Sequence, residues 1–183
     1  MGEFLRQLME TLLAWVPRLA HIRSTHGGVK FTGSRASAWG PGLHWWWPLT
    51  STYAELPTVA QAHNLATQIV LGSGPQAVAA SGVIVYRVDD VLKAVTSCEE
   101  LDDIVSNVGL AAVFEVLATK KLPDLRAWAE SGELTNRLTR KVRSRLRAYG
   151  LYVERCGLTD LAPAKPLYLM GEAAGATALP VPE

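Results

Sequence analysis

The chain of 183 residues reads as an α+β domain with a short helical segment in front. Two changes of texture carry that reading. Up to about residue 98 the apolar residues come in short stretches rich in β-branched and aromatic types, punctuated by Gly and Pro, which is the pattern of strands joined by tight turns. From residue 99 they recur at helical spacing, and after Gly150 the stretch "LYVERCGLTDL" returns to strand. The expected fold has mostly antiparallel β hairpins in its first half, then two helices and a closing strand, with an N-terminal amphipathic helix ahead of them.

Residues 3–16, "EFLRQLMETLLAWV", place Phe4, Leu5, Leu8, Met9, Leu12, Leu13, Trp15 and Val16 on one broad stripe, opposite Glu3, Arg6, Gln7, Glu10 and Thr11. Pro17 ends the helix, and Arg18, His21, Arg23, His26 and Lys30 follow at intervals. An amphipathic, Trp-bearing helix with a basic collar suits the interface of an anionic membrane. The same stripe also suits docking on the domain's own core or on another subunit.

"GGVKFT" is a strand, "GSRASAWGPG" a turn-rich connection and "LHWWWPL" a second strand stopped by Pro48, so a hairpin is expected between the two strands. Alternation puts Trp45 and Trp47 on one face and Trp46 on the other. An indole has an apolar ring and an N–H donor, so an outward Trp46, or the Trp45 and Trp47 pair, suits the headgroup zone of a bilayer. The alternative buries one face and lets the other cap a sheet edge.

"STYAEL", "TVAQAHNLATQIVL" and "QAVAASGVIVYRV" continue the strands, the last after a "GSGP" turn. "EELDDIVSNVGLAAVFEVLATKKL" is the first helix of the domain, with Leu101, Ile104, Val105, Val108, Ala112, Val116 and Leu117 in register and acidic residues where the helix dipole favours them. Pro123 interrupts. "ELTNRLTRKVRSRLRAYG" is the second, with a narrow stripe of Leu134, Leu138, Val142, Leu146 and Tyr149 and a capping Gly150. The organisation read from these elements is 1–26 for the helix and a basic linker, 27–170 for the main domain and 171–183 for a loose tail.

With 49% hydrophobic and 19% charged residues the chain is no disordered polyelectrolyte, and a net charge of +1 gives no global drive toward nucleic acid. The two cysteines, Cys98 and Cys156, have neither metal-ligand nor disulfide-framework spacing, and a reducing, cytosolic setting is expected. No signal peptide and no run of about 18 uncharged apolar residues is read. Gly72-Ser73-Gly74-Pro75-Gln76-Ala77 matches G-x-G-x-x-A, yet the strand-like "VIVYRV" follows too soon for the helix a pyrophosphate needs, and Asp89 and Asp90 lie too close to serve the ribose. His21, His26, His44 and His63 form no HExxH or i, i+4 pair, and no GxSxG elbow occurs. No catalytic, cofactor-binding or metal-ligating residue is therefore assigned.

Charge is patterned locally. Arg137, Arg140, Lys141, Arg143, Arg145 and Arg147 surround the second helix outside its stripe, while Asp89, Asp90, Glu99, Glu100, Asp102 and Asp103 form an acidic block before and within the start of the first. Opposite patches on one domain suit head-to-tail association of identical subunits into rings or filaments, with Asp89, Asp90, Asp102 and Asp103 facing Arg137, Arg140, Lys141 and Arg143. A solvated face with intramolecular pairing is the alternative. The Arg-rich helix lacks the aromatic interleaving of a nucleic-acid module, and no nucleic-acid partner is expected.

"GGVKFTGSRASAWGPGLHWWWPL", "GVIVYRVDD" and "YGLYVERCGLTDLAP" together resemble the SPFH or band-seven domain of the stomatin, prohibitin and flotillin group, in the manner of a short slipin-like member, over about residues 27–170. The resemblance implies a non-enzymatic, membrane-associated scaffold on the cytosolic, inner face of a membrane. It implies homo-oligomeric rings or cages that organise lipid or enclose membrane proteins, sometimes proteases. By position, Pro41, Gly42, Leu43, His44 and Trp45 match the hairpin that approaches the bilayer in that family. No heptads follow residue 150, so shallow rings, arcs or filaments are expected rather than a tall coiled-coil cage. A soluble subunit of a protein shell, with the helix and tryptophans buried between protomers, is the alternative function.

Overall fold

The computed structural model describes Glu3, Arg6, residues 16–73 and residues 77–164. Phe4, Leu5, Leu8, Leu12 and Trp15 of the amphipathic helix lie outside the described residues, as does the tail 171–183; Glu3 and Arg6 are helical and exposed. The strands are β1 (Arg18–Ile22), β2 (His26–Thr32), β3 (Arg35–Trp39), β4 (Gly42–Trp46), β5 (Ser51–Pro57), β6 (Gln61–Leu71), β7 (Ala77–Val88) and β8 (Leu151–Ala164). Between β7 and β8 come helices α1 (Val91–Ser97), α2 (Leu101–Leu117), α3 (Leu122–Glu130) and α4 (Glu133–Leu146), with a 3₁₀ turn at Arg147–Tyr149. The α+β class holds.

The core lies between the antiparallel sheet β6-β7-β8 and the helices. Ala80, Ile84, Tyr86 and Val88 alternate along the central strand β7 and are all buried in this core. α2 seats closely because Gly109 has no side chain: a Cβ there would collide with Leu65 and Ile84. α4 buries Leu134, Leu138, Val142 and Leu146, the stripe read from the sequence. Thr139 ties it to β8 twice, since its Oγ1 donates to the Cys156 carbonyl at 3.2 Å and accepts from the Cys156 N–H at 2.9 Å. Gly150, at φ 75°, turns the chain into β8 in contact with the Asp90 carbonyl, a left-handed conformation that glycine adopts without strain.

Three features differ from the sequence reading. The hairpin partner of "GGVKFT" is the "RASAW" stretch, not the tryptophan strand: β2 pairs β3 across a turn of Gly33 and Ser34, with Gly33 at φ 58°. β5 occupies the other edge of β2, so β4 has no place beside β2 and is paired instead with β1. The stretch after Pro17, read as a basic linker, is thus a strand whose Ala20 and Ile22 are buried. Finally, α1 and α3 join the two expected helices. Asp90 caps α1 by accepting from the Lys93 N–H at 3.0 Å, and Pro123 stands in the first turn of α3, where its missing N–H costs nothing.

Candidate functional site

The β1–β4 ribbon carries the largest concentration of exposed apolar side chains among the described residues. In the antiparallel register Leu19 faces Trp45 and His21 faces Leu43 on one side, while Arg18 faces Trp46, Ala20 faces His44 and Ile22 faces Gly42 on the other. Directly opposed residues share a face. The outer face therefore bears Leu19, Leu43 and Trp45, exposed to 51%, 63% and 66%, and the turn that follows β4 exposes Trp47 to 48% and Leu49 to 56%. His21 is the ionisable group on this outer face of the paired register.

The inner face is packed and polar by turns. Ile22 fills the space above Gly28, where a Cβ would overlap its Cδ1, so Gly28 lets the ribbon sit down on the second sheet, while Gly27 beside it makes room for Val91 of α1. His44 stacks on Trp39 with centroids 4.7 Å apart, and its Nε2 donates to the Gly40 carbonyl at 2.7 Å. Trp46 meets Tyr53 edge-on at 5.2 Å, Tyr53 lies 6.3 Å from Trp39, and the Lys30 ammonium sits 5.4 Å over the Trp39 ring. Trp46 is therefore half-buried in an aromatic cluster, on the face opposite Trp45.

The tip after β4 is held rigidly. The Trp47 carbonyl accepts from the backbone N–H of Thr50 at 3.2 Å and of Ser51 at 2.9 Å, and from the hydroxyl of Ser51 at 2.9 Å. Ser51 is the buried polar residue of the described chain, and its hydrogen bond satisfies it. Pro48 and this turn hold Trp47 and Leu49 outward without requiring a core beneath them.

The charged residues named from the sequence fall into separate places. Arg137 pairs with Glu133 at 2.6 Å, and Glu115 holds both Lys141 and Arg145, the latter at 2.6 Å. These partners keep the Glu115 carboxyl below the usual carboxylate range. Arg143 donates from Nε to the Val153 carbonyl at 2.8 Å and from Nη2 to the Glu154 carbonyl at 3.2 Å. Arg140 is exposed and has no ion-pair partner among the described residues. The acidic block is split by α1: Asp89 and Asp90 stand at its start, beside Gly150, and Asp102 and Asp103 in the first turn of α2. Asp102 accepts from the Tyr86 hydroxyl at 3.1 Å, and burial together with that bond raises the Tyr86 pKa.

No three His, Cys, Asp or Glu side chains converge among the described residues, and Cys156, fully buried, has its thiol pushed up to about 11. Sequence reasoning missed Leu19 as part of the exposed face. The alternation Leu19, Ala20, His21, Ile22 was the available signal, masked by the basic residues on either side of it.

A family model described as SPFH domain / Band 7 family matches residues 20–168, which begins within β1 and runs past the end of β8. No curated protein matches the chain.

Proposed function

This chain belongs to the SPFH domain / Band 7 family, and we propose that it is a peripheral membrane scaffold that lays the outer face of its β1–β4 ribbon into the bilayer interface and associates with copies of itself. The family is membrane-associated and of scaffold type, generally without enzymatic activity. Among the described residues no helix is long and apolar enough to cross a membrane. The exposed outer face of the ribbon supplies a device for surface attachment.

The observation that carries this reading is the exposed set Leu19, Leu43 and Trp45 on one face of the ribbon, followed by Trp47 and Leu49 exposed in the adjoining turn. Covering a half-exposed Leu or Trp is worth on the order of 1 kcal/mol. A handful of such side chains with two indoles at headgroup depth yields shallow, reversible binding rather than permanent insertion. Weak attachment per copy is the regime in which self-association matters, because linked copies bind a surface far more tightly than one alone. An assembly of such copies on the inner face of a membrane would organise the lipid beneath it or enclose membrane proteins, proteases among them.

Vesicle co-sedimentation tests the reading. The full chain should pellet with anionic vesicles, and Leu43→Glu with Trp45→Glu should weaken this about tenfold or more while leaving the melting temperature nearly unchanged, since both residues are exposed. A well-folded double variant that binds vesicles as the parent does overturns the role of the ribbon. Assembly with no vesicle binding would instead favour a soluble shell whose copies bury these faces against one another.

A further inference from the structure

Among the described residues, two opposite sets of charges have no ion-pair partner. The three ion pairs formed among the described residues all belong to Glu115 and Glu133. Arg140 and Arg147, both exposed, have no carboxylate partner among those residues, and Glu99, Glu100, Asp102 and Asp103 have no cationic one.

The cations converge. Between α4, the start of α1 and β8 lies a groove of about 610 Å³ lined by Lys93, Arg140, Arg143 and Arg147. Its floor includes Tyr152, whose ring lies 4.9 Å from the guanidiniums of both Arg87 and Arg143. Two carboxylates, Asp89 and Asp90, also line it, but Asp90 is engaged as the cap of α1, and four cations outnumber the pair. The Arg143 guanidinium is fixed by the Val153 and Glu154 carbonyls, and the Lys93 ammonium by the Arg147 carbonyl at 3.4 Å, so two of the cations are already oriented. At the other end of α1, the neighbouring Asp103 carboxyl raises the Glu100 pKa, the mark of carboxylates crowded together.

We propose that this groove receives the Glu99–Asp103 segment of a second copy of the chain, joining copies head to tail. The inference deepens the self-association in the function proposed above and rests on it. Each copy has one groove and one acidic segment on different parts of its surface, so the contact is heterologous and propagates into a ring or an open filament. A segment carrying four carboxylates brings guanidinium–carboxylate hydrogen bonds to Arg140 and Arg147, the stronger class of such bonds, and gives the crowded Glu100 and Asp103 charges cations that offset their repulsion. The same neighbouring copies carry their ribbons together, which supplies the avidity that weak lipid contact requires.

The test is association of the full chain in lipid-free solution by light scattering and cross-linking, at low salt and near molar salt. The wild type should form assemblies that high salt disperses, since charges at this exposed site are screened there. Arg140→Glu with Arg147→Glu, and separately Glu99→Lys with Glu100→Lys, should each reduce association about tenfold or more while circular dichroism and melting stay near the wild type. A one-to-one mixture of the two variants should recover assembly, because each then offers the surface that the other lacks. Assembly that survives both reversals, or a mixture that fails to recover it, overturns the groove while leaving self-association standing. A wild type that stays monomeric overturns both.

Discussion

The three consecutive tryptophans divide between two tasks. Trp45 and Trp47 stand on the exposed face and Trp46 on the packed one. Trp46→Ala should lower stability by about 1–3 kcal/mol through lost packing on Tyr53, read by denaturant unfolding, whereas Trp45→Ala should leave it almost unchanged and weaken lipid binding instead. Thr139 offers a sharper case. Thr139→Val keeps the shape but orphans the Cys156 N–H, and a cost of about 1–3 kcal/mol is expected in the same assay. Glu115 and Glu100 respond to pH in opposite senses. The Glu115 pKa is held below its ordinary 4.5 by Lys141 and Arg145, so its contribution to stability is present above that value and is lost as the pH falls through the folded pKa. Glu100 is raised above 4.5 by Asp103, so its contribution is present below that value and is lost as the pH rises through the folded pKa. Glu115→Gln should therefore make stability fall less steeply on acidification through this range, and Glu100→Gln should make it fall more steeply; acid-unfolding curves that do not separate in those directions would refute the assignment.

Among the elements, the ribbon depends on the backbone beneath it. Gly28→Ala forces a Cβ into Ile22 and should cost about 1–3 kcal/mol, with a drop of several degrees in melting temperature and faster hydrogen exchange across β1 and β4 than across β7. The two long helices, α2 and α4, were the legible part. The stripe of α4 and most of the α2 core set are encoded at a period of 3.6 and needed no knowledge of their partners. The alternation that separates Trp46 from its neighbours was legible for the same reason. Strand pairing was not, because "RASAW" has no β-branched residue to mark it as a strand, and with both sides of β2 taken by β3 and β5 the partner of β4 is a strand that the basic residues around it concealed. Charge was legible as composition and not as position. α1 separates Asp89 and Asp90 from Asp102 and Asp103, and Glu115, near the far end of α2 from the acidic block, takes up Lys141 and Arg145.

At the scale of the whole molecule, a helical layer closes one side of the sheet β6-β7-β8, and the ribbon projects an apolar face that nothing in the described chain covers. Under the proposed function, lipid shelters that face. Fluorine NMR of the full chain with fluorotryptophan, its resonances assigned by single Trp→Phe replacements, tests this most directly on vesicles carrying a spin-labelled lipid. Trp45 and Trp47 should broaden strongly and Trp46 less, while Trp128, half-buried in α3 beneath the Arg137 guanidinium, should stay sharp relative to label-free vesicles. Equal behaviour of Trp45, Trp46 and Trp47, or no broadening at Trp45 in vesicle-bound protein, would contradict the account.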